Sequence, residues 1–258
     1  MSTAFGASAG TAGAALAGTL PKPLAQYAHC PVDNPKVSAC VHGVLTSGTF
    51  SIGSTTLTIN QPEGINLGLE PQANGSLKVV PPDDGTAVLK GAPVPVSILG
   101  LPALPSPLNV TATPTLIQLP TFNVTALATG SGPAIRLPLD VSINNVLIGS
   151  GCTIGNAANP ITLKMTTGKT NPPPPNKPIQ GSPGKTTISD QGVVTITGMT
   201  LVDNAFAVPG AFGCGPLGLL DPIFDTAEGL PSAAGNNTGI FHANVGLAPA
   251  TLIRKALG

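Results

Sequence analysis

Residues 135–143 read IRLPLDVSI, and this stretch decides the fold class. Aliphatic side chains occupy every second position, and successive side chains of a β-strand point to opposite faces of the sheet. Because the intervening positions include Arg136, Asp140 and Ser142, we predict a half-buried strand of an antiparallel sheet. Pro138 has no backbone N–H to donate, which favours a sheet edge or a bulge. The aliphatic face carries Ile135, Leu137, Leu139, Val141 and Ile143.

The same alternation recurs along the chain and predicts further strands. A short helix is expected around Leu217–Glu228, where Pro222 limits its length. We therefore predict an all-β fold, an antiparallel β-sandwich or barrel of about ten to twelve strands, with long Pro-rich loops and at most one short helix. The further strands are expected over Val41–Phe50, Ser54–Ile59, Leu77–Val80, Val94–Leu99, residues 123–128 (NVTALA), Ile161–Thr166, Thr186–Ser189, Val193–Thr197, Thr200–Phe206 and Gly239–Leu247.

The composition is that of a folded chain with an unusually uncharged surface. Of the 258 residues, 41% are apolar and only 9% are charged, against roughly 25% charged in ordinary globular proteins. Disordered chains combine low hydrophobicity with high net charge, and this chain has neither property. Residues 27–258 are predicted to form a single β domain. Residues 1–26 are predicted to be a flexible leader or a remnant signal peptide, in which residues 15–17 (ALA) match the A-x-A cleavage pattern.

The charge and aromatic content argue against several classes of partner. Eleven Lys and Arg residues are scattered through the chain and balanced by eleven acids, so no basic face for nucleic acid is expected. Aromatic residues make up 3% of the chain, which counts against stacking on sugars or single-stranded nucleic acid. No stretch of about 18 apolar residues occurs, so no transmembrane helix is expected.

Four cysteines allow three disulfide pairings, and none has C-x-x-C spacing. We favour the pairing of Cys30 with Cys40 and of Cys152 with Cys214, because a short-range bridge suits neighbouring strands. An even number of cysteines in a chain with so few charges is typical of exported proteins, so we expect the protein to be secreted or displayed on the cell surface.

A proline-rich stretch, residues 166–184, reads TTGKTNPPPPNKPIQGSPG. Cys152 and Cys214 lie on either side of it, which favours a loop within one domain over a linker between two. Pro172–Pro175 are expected to stiffen a long exposed loop between two strands. The Gly-Lys-Thr triplets at 168–170 and 184–186 lack the preceding glycine of a phosphate-binding loop, since Leu163 and Ile179 occupy that position.

No pattern in the sequence identifies catalytic, cofactor-binding or metal-ligating residues. His29, His42 and His242 are the three histidines, and none has the spacing of a metal site. A dispersed hydrolase site would need one of them beside a Ser and a carboxylate in the folded chain. We therefore expect a non-catalytic protein with no cofactor.

The stretch Val94–Leu108 (VPVSILGLPALPSPL) is apolar and interrupted by prolines, so it cannot form a regular central strand. If exposed, it would form an apolar patch suited to contact with lipid or protein. The alternative is that it covers one end of the core. The candidate apolar contact residues are Val96, Ile98, Leu99, Leu101 and Leu104.

The chain resembles a group of exported proteins from high-GC Gram-positive bacteria, from about residue 27 onward. The resemblance implies export from a bacterial cell and carries no activity, cofactor or catalytic residue. It rests on HCPVDNPKVSACVHG (29–43), SGTFSIG (47–53), NPITLKMTTGKTNPPPPNKPI (159–179), LVDNAFAVPGAFGCG (201–215) and GLPSAAGNNTG (229–239).

Three functions remain open from the sequence. The first is a secreted, non-catalytic β protein that binds an apolar ligand or the lipid-rich cell envelope. The second is a structural or adhesive surface protein that self-associates through its sheet edges. The third is a hydrolase with a dispersed site.

Overall fold

The computed structural model describes residues 19–53, 55–60, 63–73, 77–82, 93–96, 109–145 and 148–258. In these residues two antiparallel sheets pack face to face as a sandwich and do not close into a barrel. The expected all-β antiparallel class is confirmed, and the barrel alternative is wrong.

The described residues form fourteen strands, more than the ten to twelve expected. The difference arises partly because two of the pairing segments, Thr121–Phe122 and Ala211–Phe212, are only two residues long. The strands are β1 Ala39–Ile52, β2 Thr55–Ile59, β3 Glu63–Pro71, β4 Leu77–Val80, β5 Val94–Val96, β6 Val110–Leu116, β7 Thr121–Phe122, β8 Ile135–Asn145, β9 Gly149–Ile154, β10 Ile161–Met165, β11 Lys185–Ile188, β12 Val194–Asp203, β13 Ala211–Phe212 and β14 Thr238–Pro249.

The order of the strands within each sheet differs from their order along the chain. The first sheet runs β11-β12-β14-β1-β3-β4, and β2 also pairs with β1. The second runs β13-β9-β8-β6-β5, and β7 and β10 also pair with β8. The two sheets are joined at one corner, where Thr166, just after β10, exchanges two backbone hydrogen bonds with Val202 of β12, at 2.9 and 3.0 Å.

The decisive stretch forms β8, with its aliphatic face in the core as predicted. Its predicted edge position is wrong, because β8 pairs with β6 and β7 on one side and with β9 and β10 on the other. Pro138 is tolerated there because its carbonyl accepts from Ile117 N at 3.1 Å, in the gap between β6 and β7. The nitrogen of a strand residue points to the same side as its carbonyl, so the missing donor faces that gap.

Helices are more numerous than the single short one expected. The described residues contain α1 Val124–Thr129, α2 Asp221–Glu228, α3 Ala250–Leu257 and two 3₁₀ helices, Lys22–Tyr27 and Pro216–Gly218. The helix expected around Leu217–Glu228 is present over its second part as α2, with Pro222 in the first turn, where the missing N–H has no intrahelical partner to lose.

The strand expected over residues 123–128 is wrong, because this stretch forms α1. The Asn123 side chain caps the helix by accepting from Ala126 N at 3.0 Å, and Gly130 ends it with a φ of 70°. Apolar residues at 124, 126 and 128 looked like alternation, but over six residues the cap signals at both ends decide the conformation.

A second hydrophobic cluster lies against the outer face of the first sheet. It joins the 3₁₀ helix Lys22–Tyr27 to α3 and includes the buried Tyr27 and Ile253. The Tyr27 ring can lie against β14 because Gly246 has no side chain; a Cβ there would collide with the phenol oxygen and require a shift. The Arg254 guanidinium donates to the carbonyls of Val32, Asn34 and Val37 at 2.8–2.9 Å, which ties the two ends of the described chain together.

The proline-rich stretch 166–184 folds back onto the sandwich instead of projecting from it. Ser182 and Thr200 exchange backbone hydrogen bonds of 2.9 Å, which hold its second end against β12. The Asn176 amide donates to the carbonyls of Asn204 and Asn237 at 3.0 and 2.9 Å, which anchors its middle. The stretch is therefore fixed at its middle and at its second end, while Pro173–Pro175 and several other residues of it remain exposed.

Candidate functional site

Large exposed apolar side chains are concentrated in one part of the described chain. Of the seven such residues, four lie between 212 and 223, and we call this stretch the apolar segment. Their exposed fractions are 64% for Phe212, 100% for Leu217, 71% for Leu219 and 57% for Ile223. Single exposed apolar residues are ordinary on a protein surface, whereas a concentration of them marks an interaction site.

The apolar segment is held by a disulfide at the edge of the second sheet. Cys152 of β9 is bonded to Cys214, with the two Cα atoms 4.1 Å apart. Gly215 donates its N–H to Ile148 O at 2.9 Å and adopts a φ of 71°. A side chain at Gly215 would also meet Leu220, so this turn requires glycine on both counts.

Two acids of α2 hold the backbone of the apolar segment. The Asp221 carboxylate accepts from Cys214 N at 2.6 Å and from Gly213 N at 3.2 Å. The Asp225 carboxylate accepts from Ala211 N at 2.7 Å. Hydrogen bonds to ionised groups are the stronger kind, so the segment is braced by its own helix as well as by the disulfide.

Leu217 has an unfavourable backbone conformation as well as full exposure. Its φ of 54° and ψ of 23° lie in the left-handed region, which costs a residue with a Cβ about 1–2 kcal/mol. Asparagine or glycine would adopt this conformation more readily. A strained residue whose side chain contacts solvent alone gives no gain in stability, which supports a role in binding.

The inner face of α2 borders a small cavity between the two sheets. Its volume is about 30 Å³, and its lining is apolar apart from Thr55 and Glu228. The Thr55 hydroxyl donates to the Glu228 carboxylate at 2.5 Å. A space for one water molecule needs roughly 10–15 Å³, so this cavity is far too small for a lipid chain.

The predicted disulfide pairing is confirmed. Of the predicted apolar contact residues, only one lies in the described part of the chain. Cys30 pairs with Cys40, and Cys152 pairs with Cys214. Val96 is the last residue of β5. The other candidate contact residues, Ile98, Leu99, Leu101 and Leu104, lie outside the described residues.

Two histidines lie on neighbouring strands of the first sheet and contact polar neighbours. His42 Nδ1 is 2.9 Å from Asn66 Oδ1, and His242 Nδ1 is 3.2 Å from Thr200 Oγ1. Within the residues that the structure describes, no group of three or more His, Cys, Asp or Glu could hold a metal ion.

Asp203 is the most buried carboxylate in the described chain, with 3% of its surface exposed. Burial raises the pKa of Asp203 above its usual value, while backbone donors at Lys164 and Ala205 oppose the rise. These donors lie 2.6 and 2.9 Å from the carboxylate oxygens, so the side chain fixes the loop after β12. Its contacts are structural.

Comparisons with protein-family models, with curated proteins and with solved structures find no match for this chain. Among the described residues, no helix has both the length and the apolar character needed to cross a membrane. The functional argument therefore rests on the apolar segment and its supports. The sequence alone does not mark this segment, because its apolar residues, in FGCGPLGLLDPIF (212–224), follow no strand or helix period that would distinguish surface from core.

Proposed function

We propose that this protein is an exported, non-catalytic β-sandwich protein that contacts the lipid-rich part of the cell envelope through its apolar segment. The observation that supports this proposal is a group of exposed apolar side chains on a backbone held by hydrogen bonds. These side chains are Phe212, Leu217, Leu219 and Ile223. Transfer of one such side chain out of water contributes about 1.5–3 kcal/mol. The transfer of several such side chains offsets the loss of translational and rotational freedom on binding. Because the backbone of the segment is already held in place, little conformational entropy is lost when it binds.

Surface contact is favoured over an apolar ligand held inside the sandwich. The cavity between the sheets has a volume of about 30 Å³, whereas pockets for small molecules usually measure roughly 300–1,000 Å³. The four exposed side chains of the apolar segment, by contrast, leave 57–100% of their surface open to solvent.

Two disulfides and the resemblance to exported bacterial proteins support a location outside the cytosol. Disulfides persist in oxidising compartments and are rare where thiols are kept reduced. A secreted protein or one displayed at the cell surface would meet the envelope lipids directly.

Replacing Leu217 with asparagine is expected to weaken binding to phosphatidylcholine vesicles by about tenfold, which corresponds to roughly 1.4 kcal/mol of lost apolar transfer. The thermal midpoint should stay the same or rise, because asparagine accommodates the left-handed conformation better than leucine. Vesicle flotation measures the first effect and differential scanning calorimetry the second.

Ile188→Thr is the matched control, because Ile188 is 70% exposed but lies on β11, outside the apolar segment. It should leave vesicle binding unchanged. Equal losses in both variants would show that any exposed apolar residue suffices, and an absence of vesicle binding by the unaltered protein would refute the proposal.

A second candidate function is self-association through the edge strand β11, whose four residues are all exposed. Ser189 donates its N–H to Val193 O at 3.0 Å, so by alternation Thr186 and Ile188 direct their backbone groups away from β12. Such an open edge can accept a strand from a second copy.

The self-association candidate predicts a dimer or larger assembly in light scattering at high protein concentration. Thr186→Pro should return it to a monomer with little loss of stability, because it removes an N–H that faces away from the sheet. An unaltered protein that stays monomeric at high concentration would end this candidate without affecting the lipid-contact proposal.

A further inference from the structure

We infer that the lipid surface contacted by the apolar segment is electrically neutral. This inference rests on the proposed lipid contact and adds the chemistry of the partner. Its basis is the distribution of charge around the segment, together with the kinds of side chain that the segment exposes.

Positive charge is absent from the chain around the apolar segment. No Lys or Arg occurs between residues 137 and 163, which include β9, or between residues 186 and 253, which include β13 and α2. The same ranges contain acids, and Asp221 and Asp225 lie within or just beyond the segment itself. These two ranges of the chain therefore carry a net negative charge, although the whole chain is neutral.

The nearest basic pair along the second sheet is too distant to compensate. Arg136 of β8 lies directly opposite Lys164 of β10, and both side chains are exposed. Further along β8, Ile143 pairs with Cys152, which carries the disulfide to the segment. Seven residues of strand separate Arg136 from Ile143, or about 24 Å at roughly 3.4 Å per residue. At physiological salt the screening length is about 8 Å, so this pair hardly acts at the apolar segment.

The balance of energies then decides between neutral and anionic lipid. Each basic residue near an anionic membrane contributes about 1 kcal/mol of attraction, and this segment has none. The acids of the segment are instead repelled by an anionic membrane. Apolar transfer is therefore the whole favourable contribution, and the net binding free energy is most favourable on a surface whose headgroups carry no net charge, because the acids are not repelled there.

The exposed side chains also fit lipid better than a protein partner. The residues that dominate binding energy in protein interfaces are most often Trp, Tyr and Arg, which supply hydrogen bonds and orientation as well as area, and are seldom Leu. Phe212, Leu217, Leu219 and Ile223 have no hydrogen-bonding side-chain groups. They match a partner that offers no specific polar contacts, such as the acyl layer below neutral headgroups.

The test is flotation of the full chain with two kinds of vesicle, pure phosphatidylcholine and phosphatidylcholine with about a third of phosphatidylglycerol. We expect at least about fivefold weaker binding to the anionic vesicles, and no loss of binding to the neutral vesicles when salt is raised. Stronger binding to anionic vesicles, or binding that salt abolishes, overturns this inference and leaves the lipid contact standing. Binding to neither overturns the proposed function itself.

A charge-adding variant sharpens the same test. Thr226→Lys adds a cation on α2 at an exposed position whose hydroxyl bonds only its own helix, at Pro222 O. It should strengthen binding to the anionic vesicles by about fivefold, the equivalent of roughly 1 kcal/mol. Thr187→Lys makes the same change on β11 and should not strengthen binding to the anionic vesicles. Equal responses of the two variants would show that overall charge acts, and would overturn the local argument.

Discussion

Replacing Cys152 and Cys214 together with alanine is expected to lower the free energy of unfolding by about 4 kcal/mol. The bridge spans a sequence separation of 62 residues, and a long closed loop restricts the unfolded chain more than a short one. Both sulfur atoms are buried in the core between the sheets, so their loss also removes packing. Denaturant titration under oxidising conditions gives the measurement.

The same double substitution should release the apolar segment from β9 and weaken vesicle binding. The matched control is the alanine pair at Cys30 and Cys40, whose bridge spans only 10 residues and lies in the second hydrophobic cluster. That pair should lower the unfolding free energy by about 3 kcal/mol and leave vesicle binding intact. Similar losses of vesicle binding in both variants would contradict a specific role of the Cys152–Cys214 bridge in presenting the segment.

Asn237→Asp is expected to lower the free energy of unfolding by about 4 kcal/mol, although the two side chains have nearly the same shape. Asn237 is fully buried. Its amide nitrogen donates to the carbonyls of Phe206, Ser232 and Ala233, and its oxygen accepts from Gly53 N at 3.2 Å. A carboxylate keeps the last contact, but turns the others into repulsion between oxygens in a fully buried site.

Asn236→Asp provides the control for this prediction, because Asn236 is the exposed neighbour of Asn237. It should change the unfolding free energy by less than about 0.5 kcal/mol, as surface substitutions usually do. Urea titrations of the two variants at neutral pH make the comparison. A small effect at Asn237 would mean that these hydrogen bonds contribute little to joining the β1–β2 hairpin to the loop before β14.

Local patterns in the sequence predicted most of what defines the fold class. The alternation in residues 135–143 predicts a half-buried strand, and it does so correctly because burial on one face imposes a period of two on any strand. Pro222 correctly limits α2 because its ring affects only the adjacent turn. The NVTALA stretch failed because six residues are too few to separate two periods, and its cap residues decided the outcome.

The candidate site was much less accessible to sequence reasoning than the fold. Both the stretch Val94–Leu108 and the apolar segment are apolar and interrupted by Gly or Pro, so pattern alone ranks them alike. The exposure of Leu217 became evident only once the disulfide and the two acids of α2 had been placed around it.

By itself, then, the sequence determined an antiparallel β protein with few charged residues, and it favoured, among three possible disulfide pairings, the one that the structure shows. The tertiary structure alone decided that Pro138 lies in a central strand, that Asn237 is buried while Asn236 is not, and that Leu217 contacts solvent. The physical reason is the range of the interactions involved. Periodicity and turns depend on neighbours in the chain, whereas burial depends on what packs from elsewhere, as when β14 inserts between β12 and β1 almost two hundred residues after β1 begins.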